Sequence, residues 1–148
     1  MEQEKKQLIL QDLCARSPYG VYVLADVQKT FDGGIIGKVS GVNIESGLVY
    51  LEGILTPFTI EEIRPYLRSL SSMTDEDFLA LYDMCVDKVY QFRWHPTYYT
   101  EFKTEKYVPD FMYNPNQLDY LILHHFDYRG LIPKNLAIEA PSNMYKIK

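Results

Sequence analysis

"YGVYVLADVQKTFDGGIIGKVSGVNIESGLVYLEGIL", residues 19–55, is the stretch that decides the fold. It holds three runs rich in β-branched and aromatic residues, as expected of strands. Two turn signals separate the runs, Asp32-Gly33-Gly34 and Glu45-Ser46-Gly47. Glycine-containing turns between such runs are typical of β-hairpins, so we predict an antiparallel meander over residues 21–55. Gly37 and Gly41 inside the middle run indicate a bulged strand and a curled sheet.

Three helices are predicted around the meander. The first covers residues 4–16 and should end at Ser17-Pro18, because the residue before a proline avoids the helical conformation. The second begins after Thr74, which is positioned to cap it, and continues to Phe92. The third runs from Pro115 to Phe126 with Asn114 as its N-cap, and one short strand follows around Leu136 to Glu139.

The segment "TPFTIEEIRPYLRSL", residues 56–70, combines two opposing signals. Thr59 and Glu62 have the spacing of a capping box, which favours a helix. Pro65 follows too closely for a long helix to form, so we predict a short helical turn. The whole chain, residues 1–148, is interpreted as a single α+β domain in which a small curled antiparallel sheet packs with about three helices.

Composition excludes several classes of function. The chain has 148 residues and a net charge of −5, which disfavours general binding to phosphate backbones or anionic lipids. No apolar run approaches the roughly 20 residues of a membrane span, and we expect a cytoplasmic protein without a membrane partner. Cys14 and Cys85 both occupy helix-like apolar settings, which favours free buried thiols over a disulfide.

The stretch "DYLILHHFDYRGLIPK", residues 119–134, raises the question of a metal or catalytic site. Neighbouring residues on a helix point about 100° apart, so His124 and His125 are poorly placed to share one ion. Asp127 alone offers a further ligand at helical spacing. We interpret the pair as structural, with His125 on the core-facing side of the helix, His124 beside Tyr120, and Gly130 in the left-handed conformation that ends helices.

The sequence therefore predicts no catalytic residue, no metal ligand and no cofactor. One alternative is an enzyme that uses His124, His125 and Asp127. It requires these side chains to act together, although they lie at the end of a helix and no other metal-binding motif accompanies them.

Aromatic residues concentrate in residues 90–113, which hold nine of the chain's 13 Tyr, 7 Phe and 1 Trp. A second core layer would account for many of these rings. Adjacent side chains of an extended segment alternate between faces, however, so Tyr98 and Tyr99 cannot both point inward. Exposed aromatic residues commonly anchor interfaces. The candidate interaction surface consists of Trp94, Tyr98, Tyr99 and Phe102.

The leading hypothesis is a non-enzymatic protein–protein interaction module that binds another protein or a second copy of itself. The alternative is a single-strand nucleic-acid-binding protein, because a curled meander can form a small barrel on which bases stack. The acidic charge counts against this alternative, since such proteins use basic grooves.

Three stretches, "LILQDLCARSPYGV", "IRPYLRSLSSMT" and "HHFDYRGLIPKNLAIEAPSNMY", together resemble a family of short uncharacterised proteins from gut Bacteroidetes genomes, often found in phage-like or mobile regions. The resemblance covers both ends and the middle of the chain, about half of it. It implies a bacterial cytosolic or phage-associated setting. It implies no activity, cofactor or catalytic residue.

Overall fold

A computed structural model describes residues 2–25, 34–84 and 113–145 of the chain. These residues form three α-helices: α1 (Gln3–Arg16), α2 (Asp75–Asp83) and α3 (Pro115–Leu123). They also form six strands: β1 (Tyr22–Ala25), β2 (Ile35–Asn43), β3 (Leu48–Leu51), β4 (Phe58–Thr59), β5 (Ile63–Leu67) and β6 (Ile138–Glu139). The predicted α+β class is confirmed. Within the described ranges, every helix is too short or too polar to cross a membrane.

The predicted meander forms the centre of the sheet, whose strand order is β4-β3-β2-β1-β5-β6. β1, β2 and β3 pair in antiparallel fashion, and the register shifts between Val39 and Gly41. The bulge predicted from the glycines of β2 is therefore confirmed. Gly47, in the turn before β3, has φ of 69°, a conformation that glycine adopts without steric cost.

The sheet differs from the prediction in two ways. It is mixed, because β6 pairs with β5 in parallel fashion. A parallel pair needs a long connection, and here the connection includes α2 and α3. In the described part of the chain the sheet is also open, with β4 and β6 at its edges, so the barrel considered for a nucleic-acid binder is wrong.

β5 is a strand that the sequence interpretation missed. The capping box of Thr59 and Glu62 is confirmed, and it encloses only the short 3-10 turn Ile60–Glu62. The chain then continues as β5 through Pro65, which pairs with Val23 of β1. Proline has no backbone N–H to donate to a neighbouring strand. The neighbour β6 does not need one there, because its pairing with β5 begins only at Tyr66, beyond the proline.

α1 packs on one face of the sheet. Ile9 and Leu13 are fully buried there, in one core cluster with residues of β1, β2, β3 and β5, and Leu131 and Leu136 belong to the same cluster. α1 ends at Arg16, as the sequence predicts, and a 3-10 turn (Ser17–Tyr19) follows. Cys14 is a free thiol and half-buried, whereas Cys85 lies outside the described residues.

A second core cluster lies between α2 and α3 and includes Phe78, Leu121 and Phe126. Both predicted N-caps are confirmed. The Oγ1 atom of Thr74 accepts a hydrogen bond from the backbone N–H of Asp77 at 3.2 Å, and Asn114 forms a capping box with Gln117. The predicted continuation of α2 from residue 85 to Phe92 lies outside the described residues.

α3 ends earlier than predicted, at Leu123 rather than Phe126. His125 follows in the left-handed conformation with φ of 59°. Its N–H donates to the carbonyl oxygen of Ile122, and the N–H of Phe126 donates to that of Leu121. These two bonds define a Schellman motif, so His125 ends the helix in place of Gly130.

A buried ion pair within α1 also binds the segment after α3. Arg16 and Asp12 are both 0% exposed, and Arg16 Nε donates to Asp12 Oδ2 at 2.9 Å. Arg16 Nη2 donates to the carbonyl oxygen of Phe126 at 2.6 Å. The guanidinium thus links two parts of the chain that are 110 residues apart. Sequence inspection did not identify this pair.

We predict that Thr74→Ala lowers the free energy of unfolding by about 0.5–2 kcal/mol, because it removes the acceptor for a free N–H of α2. Urea denaturation measures the change. Thr74→Ser keeps the hydroxyl and should stay near wild type. Equal losses in both variants would show that the methyl group rather than the cap stabilises this position.

We predict that Arg16→Met lowers the free energy of unfolding by about 3–5 kcal/mol, because the Asp12 carboxylate and the Phe126 carbonyl lose their buried partner. In the double variant Asp12→Asn, Arg16→Met, part of that loss should be recovered, since the uncompensated carboxylate is gone. Chemical denaturation of wild type, Arg16→Met, Asp12→Asn and the double variant tests this. A double variant as unstable as the sum of both single changes would contradict it.

Candidate functional site

A cleft of about 680 Å³ opens where the end of β5, the start of α2, the end of α3 and the segment after β6 meet. Its volume lies in the range of small-molecule and side-chain binding sites. Segments from three distant parts of the chain supply its walls. The residues lining this β5–α2–α3 cleft are Arg68, Ser72, Thr74, Glu76, Asp77, Tyr120, His124, Glu139, Ala140, Pro141, Ser142 and Tyr145.

Asp77 is the most buried acid of the cleft, with 7% of its surface exposed. Its Oδ2 atom accepts hydrogen bonds from the backbone N–H and the hydroxyl of Thr74, at 3.0 and 2.9 Å, and lies 3.2 Å from Arg68 Nη2. Its Oδ1 atom accepts from the hydroxyl of Tyr120 at 2.6 Å. Burial acts to raise the pKa of Asp77, but the hydrogen bonds from Tyr120 and Thr74 outweigh it and hold the pKa below its usual value.

Tyr120 and His124 form an aromatic pair on α3. Their rings stack with centroids 4.1 Å apart. Burial and the hydrogen bond to Asp77 raise the pKa of Tyr120 above its usual value, so the phenol keeps its proton. Burial lowers the pKa of His124, which favours the neutral imidazole. Neither ring therefore adds charge to the cleft at neutral pH.

Arg68 is largely occupied by contacts inside the protein. Its guanidinium lies 4.1 Å from the centre of the Phe126 ring and pairs with Asp77. The side chain is 20% exposed. Its backbone joins the same region, because Arg68 N–H donates to His125 and the Arg68 carbonyl accepts from Asp127, both at 2.8 Å.

The acidic side chains at the rim are more accessible. Glu76 and Glu139 are both exposed, and Glu139 accepts a hydrogen bond from the hydroxyl of Ser69 at 3.0 Å. Together with Asp77 they bring three negative charges to the lining, against one positive charge from Arg68. The cleft thus carries an excess of negative charge.

Tyr145 fixes the wall formed by the last described residues. Its hydroxyl donates to the carbonyl oxygen of Tyr66 at 2.7 Å and accepts from the N–H of Tyr22 at 2.9 Å. Its ring stacks on His125 with centroids 4.1 Å apart. The side chain therefore ties the segment after β6 to two central strands.

The structure separates the residues of the His/Asp enzyme alternative. His124 lines the cleft, whereas His125 is 2% exposed and has Nε2 3.0 Å from the carbonyl oxygen of Tyr19. The two carboxylate oxygens of Asp127 accept hydrogen bonds from the N–H groups of Leu131 and Ile132, each at 2.8 Å. Each of the three side chains has its own set of partners. His125 is buried as predicted, although it lies past the helix rather than on it.

The predicted interaction surface of Trp94, Tyr98, Tyr99 and Phe102 lies outside the described residues. The cleft was missed by sequence reasoning. Asp77 follows Thr74 at the spacing of a capping box, which is the one local signal that points to it. No spacing rule connects it with Arg68 or Tyr120. Across residues 2–25, 34–84 and 113–145, no group of three His, Cys, Asp or Glu side chains could hold a metal ion.

We predict that acid destabilises the protein through His125. Burial, reinforced by the charge of Arg16, lowers the pKa of His125 to about 4. The unfolded chain, with a histidine pKa of about 6.5, binds the proton first as the pH falls. The stabilisation is therefore complete above about pH 6.5 and is lost as the pH falls towards about 4, by an amount on the order of 3 kcal/mol.

Urea denaturation over this pH interval measures the effect. His125→Asn is the control, because asparagine tolerates the left-handed conformation and does not titrate. The control should lose less stability on acidification than wild type. Identical pH profiles would assign the acid sensitivity to other groups.

The chain was compared with protein-family models, curated proteins and solved structures. None of these three comparisons gave a match. The geometry of the β5–α2–α3 cleft is therefore the basis for a functional proposal.

Proposed function

We propose that this protein is a non-enzymatic module that binds another protein, and that the β5–α2–α3 cleft receives a side chain from an exposed segment of that partner. The observation that carries the proposal is the hydrogen-bonded group at the base of the cleft. Asp77 accepts from Thr74, Arg68 and Tyr120 at once, so a concave surface is already formed without a ligand. Pre-organisation of this kind favours binding, because less ordering is needed when the partner arrives.

The same hydrogen bonds argue against catalysis. A general base must have an accessible lone pair and a pKa near the working pH. The pKa of Asp77 is held low, and its oxygens already accept several bonds. The pKa of Tyr120 is raised, so its phenol is a poor nucleophile. Asp77 and Tyr120 are thus committed to structure.

A nucleic-acid ligand receives less support. The cleft lining carries more negative than positive charge, and the net charge of the chain is −5. Both would repel a phosphate backbone. The surface of Trp94, Tyr98, Tyr99 and Phe102 stays a prediction for a second contact with a partner or with another copy. A cytoplasmic, bacterial or phage-associated setting is part of the proposal and rests on the sequence alone.

Selection from a library of random linear peptides, displayed on phage, tests the proposal. We expect wild type to enrich peptides whose binding is lost in Ser142→Trp, because Ser142 lines the cleft and is exposed, so the indole would fill the space. Asn143→Trp is the matched control, since Asn143 lies next to it and is exposed outside the lining. Both variants should keep the unfolding midpoint of wild type.

Two outcomes would contradict the proposal. One is that no peptide is enriched by wild type above a column without protein. The other is that the enriched peptides bind Ser142→Trp and Asn143→Trp equally well, which would place the binding surface elsewhere.

A further inference from the structure

Four of the five hydroxyl groups that line the cleft donate their protons to other groups of the protein, and the fifth, that of Ser142, is exposed. Ser72 donates to the carbonyl oxygen of Ser69 at 2.7 Å, and Thr74 donates to Asp77 at 2.9 Å. Tyr120 also donates to Asp77, and Tyr145 donates to the carbonyl oxygen of Tyr66. A hydroxyl has one proton and two acceptor lone pairs. The hydroxyl groups of Ser72, Thr74, Tyr120 and Tyr145 can therefore offer a ligand acceptors but no donor.

The charged groups agree with this pattern. Glu76 and Glu139 are exposed at the rim and, as carboxylates, can only accept hydrogen bonds. The positive charge of Arg68 is offset by its pairing with Asp77 and turned towards the ring of Phe126. An anionic ligand would meet two exposed carboxylates and a guanidinium that is already engaged.

Aromatic rings complete the lining. Tyr120, stacked with His124, and Tyr145 belong to the cleft walls. Lysine and arginine side chains combine a cation, several N–H donors and no acceptor. They also gain from contact with aromatic faces. The stems of both side chains are apolar, which suits the Ala140 and Pro141 portion of the wall.

We propose that the β5–α2–α3 cleft binds a lysine or arginine side chain of the partner protein, held by Glu76 and Glu139 at the rim and by hydroxyl acceptors below. This inference rests on the proposed function, because it names the chemistry of the segment that the cleft receives. The excess of negative charge also favours the approach of a basic surface.

The test uses the peptides that wild type enriches and that Ser142→Trp fails to bind. We expect these peptides to share an arginine or a lysine. Replacement of that residue by citrulline or norleucine, which keeps the stem and removes the charge, should weaken binding about fivefold or more in fluorescence anisotropy. Binding should also weaken as salt is added, since the rim acids are exposed.

The double variant Glu76→Gln, Glu139→Gln should weaken binding of the basic peptide by a similar factor. Its matched control is Glu45→Gln, Glu52→Gln, which removes the same charge from exposed positions outside the cleft. The control should bind within about twofold of wild type. Equal losses in both double variants would mean that overall charge alone attracts the peptide, and would overturn the inference.

The two proposals fail in different ways. If the cleft-dependent peptides lack a basic residue, or if they still bind after that residue is replaced by citrulline or norleucine, the inference of a cationic side chain is overturned. The proposed function as a binding module is retained in that case. The absence of any cleft-dependent peptide would overturn the proposed function itself. Spermidine serves as a free amine: if it competes at the same concentration as the best basic peptide, the occupant is a small amine and not a partner side chain.

Discussion

The guanidinium of Arg16 lies in the protein interior, where a charge is stable only if fixed acceptors surround it. Asp12, one turn earlier on α1, provides the opposite charge, and the Phe126 carbonyl provides a neutral acceptor. Arg129 Nε lies 3.4 Å from the other oxygen of Asp12. Separation of α1 from the segment after α3 would leave the pair intact, but it would remove the Phe126 carbonyl from Arg16 and the guanidinium of Arg129 from Asp12. The contacts of the pair with Phe126 and Arg129 therefore hold that segment against α1.

The position of residues 125–127 in turn joins the two halves of the core. Arg68, at the end of β5, bonds through its backbone to His125 and Asp127, so the chain after α3 continues the edge of the sheet. Phe126 lies between these bonds and fills the cluster shared by α2 and α3. Its neighbour His125 turns the chain in the left-handed conformation and supports the ring of Tyr145. The walls of the cleft thus depend on a segment that Arg16 and Arg68 hold from two sides.

Polar residues at the base of the cleft hold one another in place. Asp77, Thr74 and Tyr120 use their hydrogen-bonding groups on one another, which fixes their orientation. Because each of these hydroxyl groups donates its proton inside the protein, only its lone pairs are left for a ligand, and these can only accept. The selectivity that we propose for a cationic side chain follows from this orientation as much as from the charges of Glu76 and Glu139.

The sequence by itself predicted the elements whose hydrogen bonds join residues that are close together in the chain. The meander, the bulge at Gly41 and the caps at Thr74 and Asn114 depend on residues within a few positions of one another, and all were predicted correctly. Two features were decided by tertiary structure against local signals. β5 forms despite Pro65 because β1 pairs with it. α3 ends at Leu123 and is capped by His125 rather than by a glycine, because the imidazole and Phe126 are buried there. The cleft was also decided by tertiary structure. Its lining comes together only when β6 lies alongside β5, and includes Arg68, Asp77, Tyr120 and Glu139. Contacts between residues so far apart in the chain leave no periodic pattern or fixed spacing in the sequence.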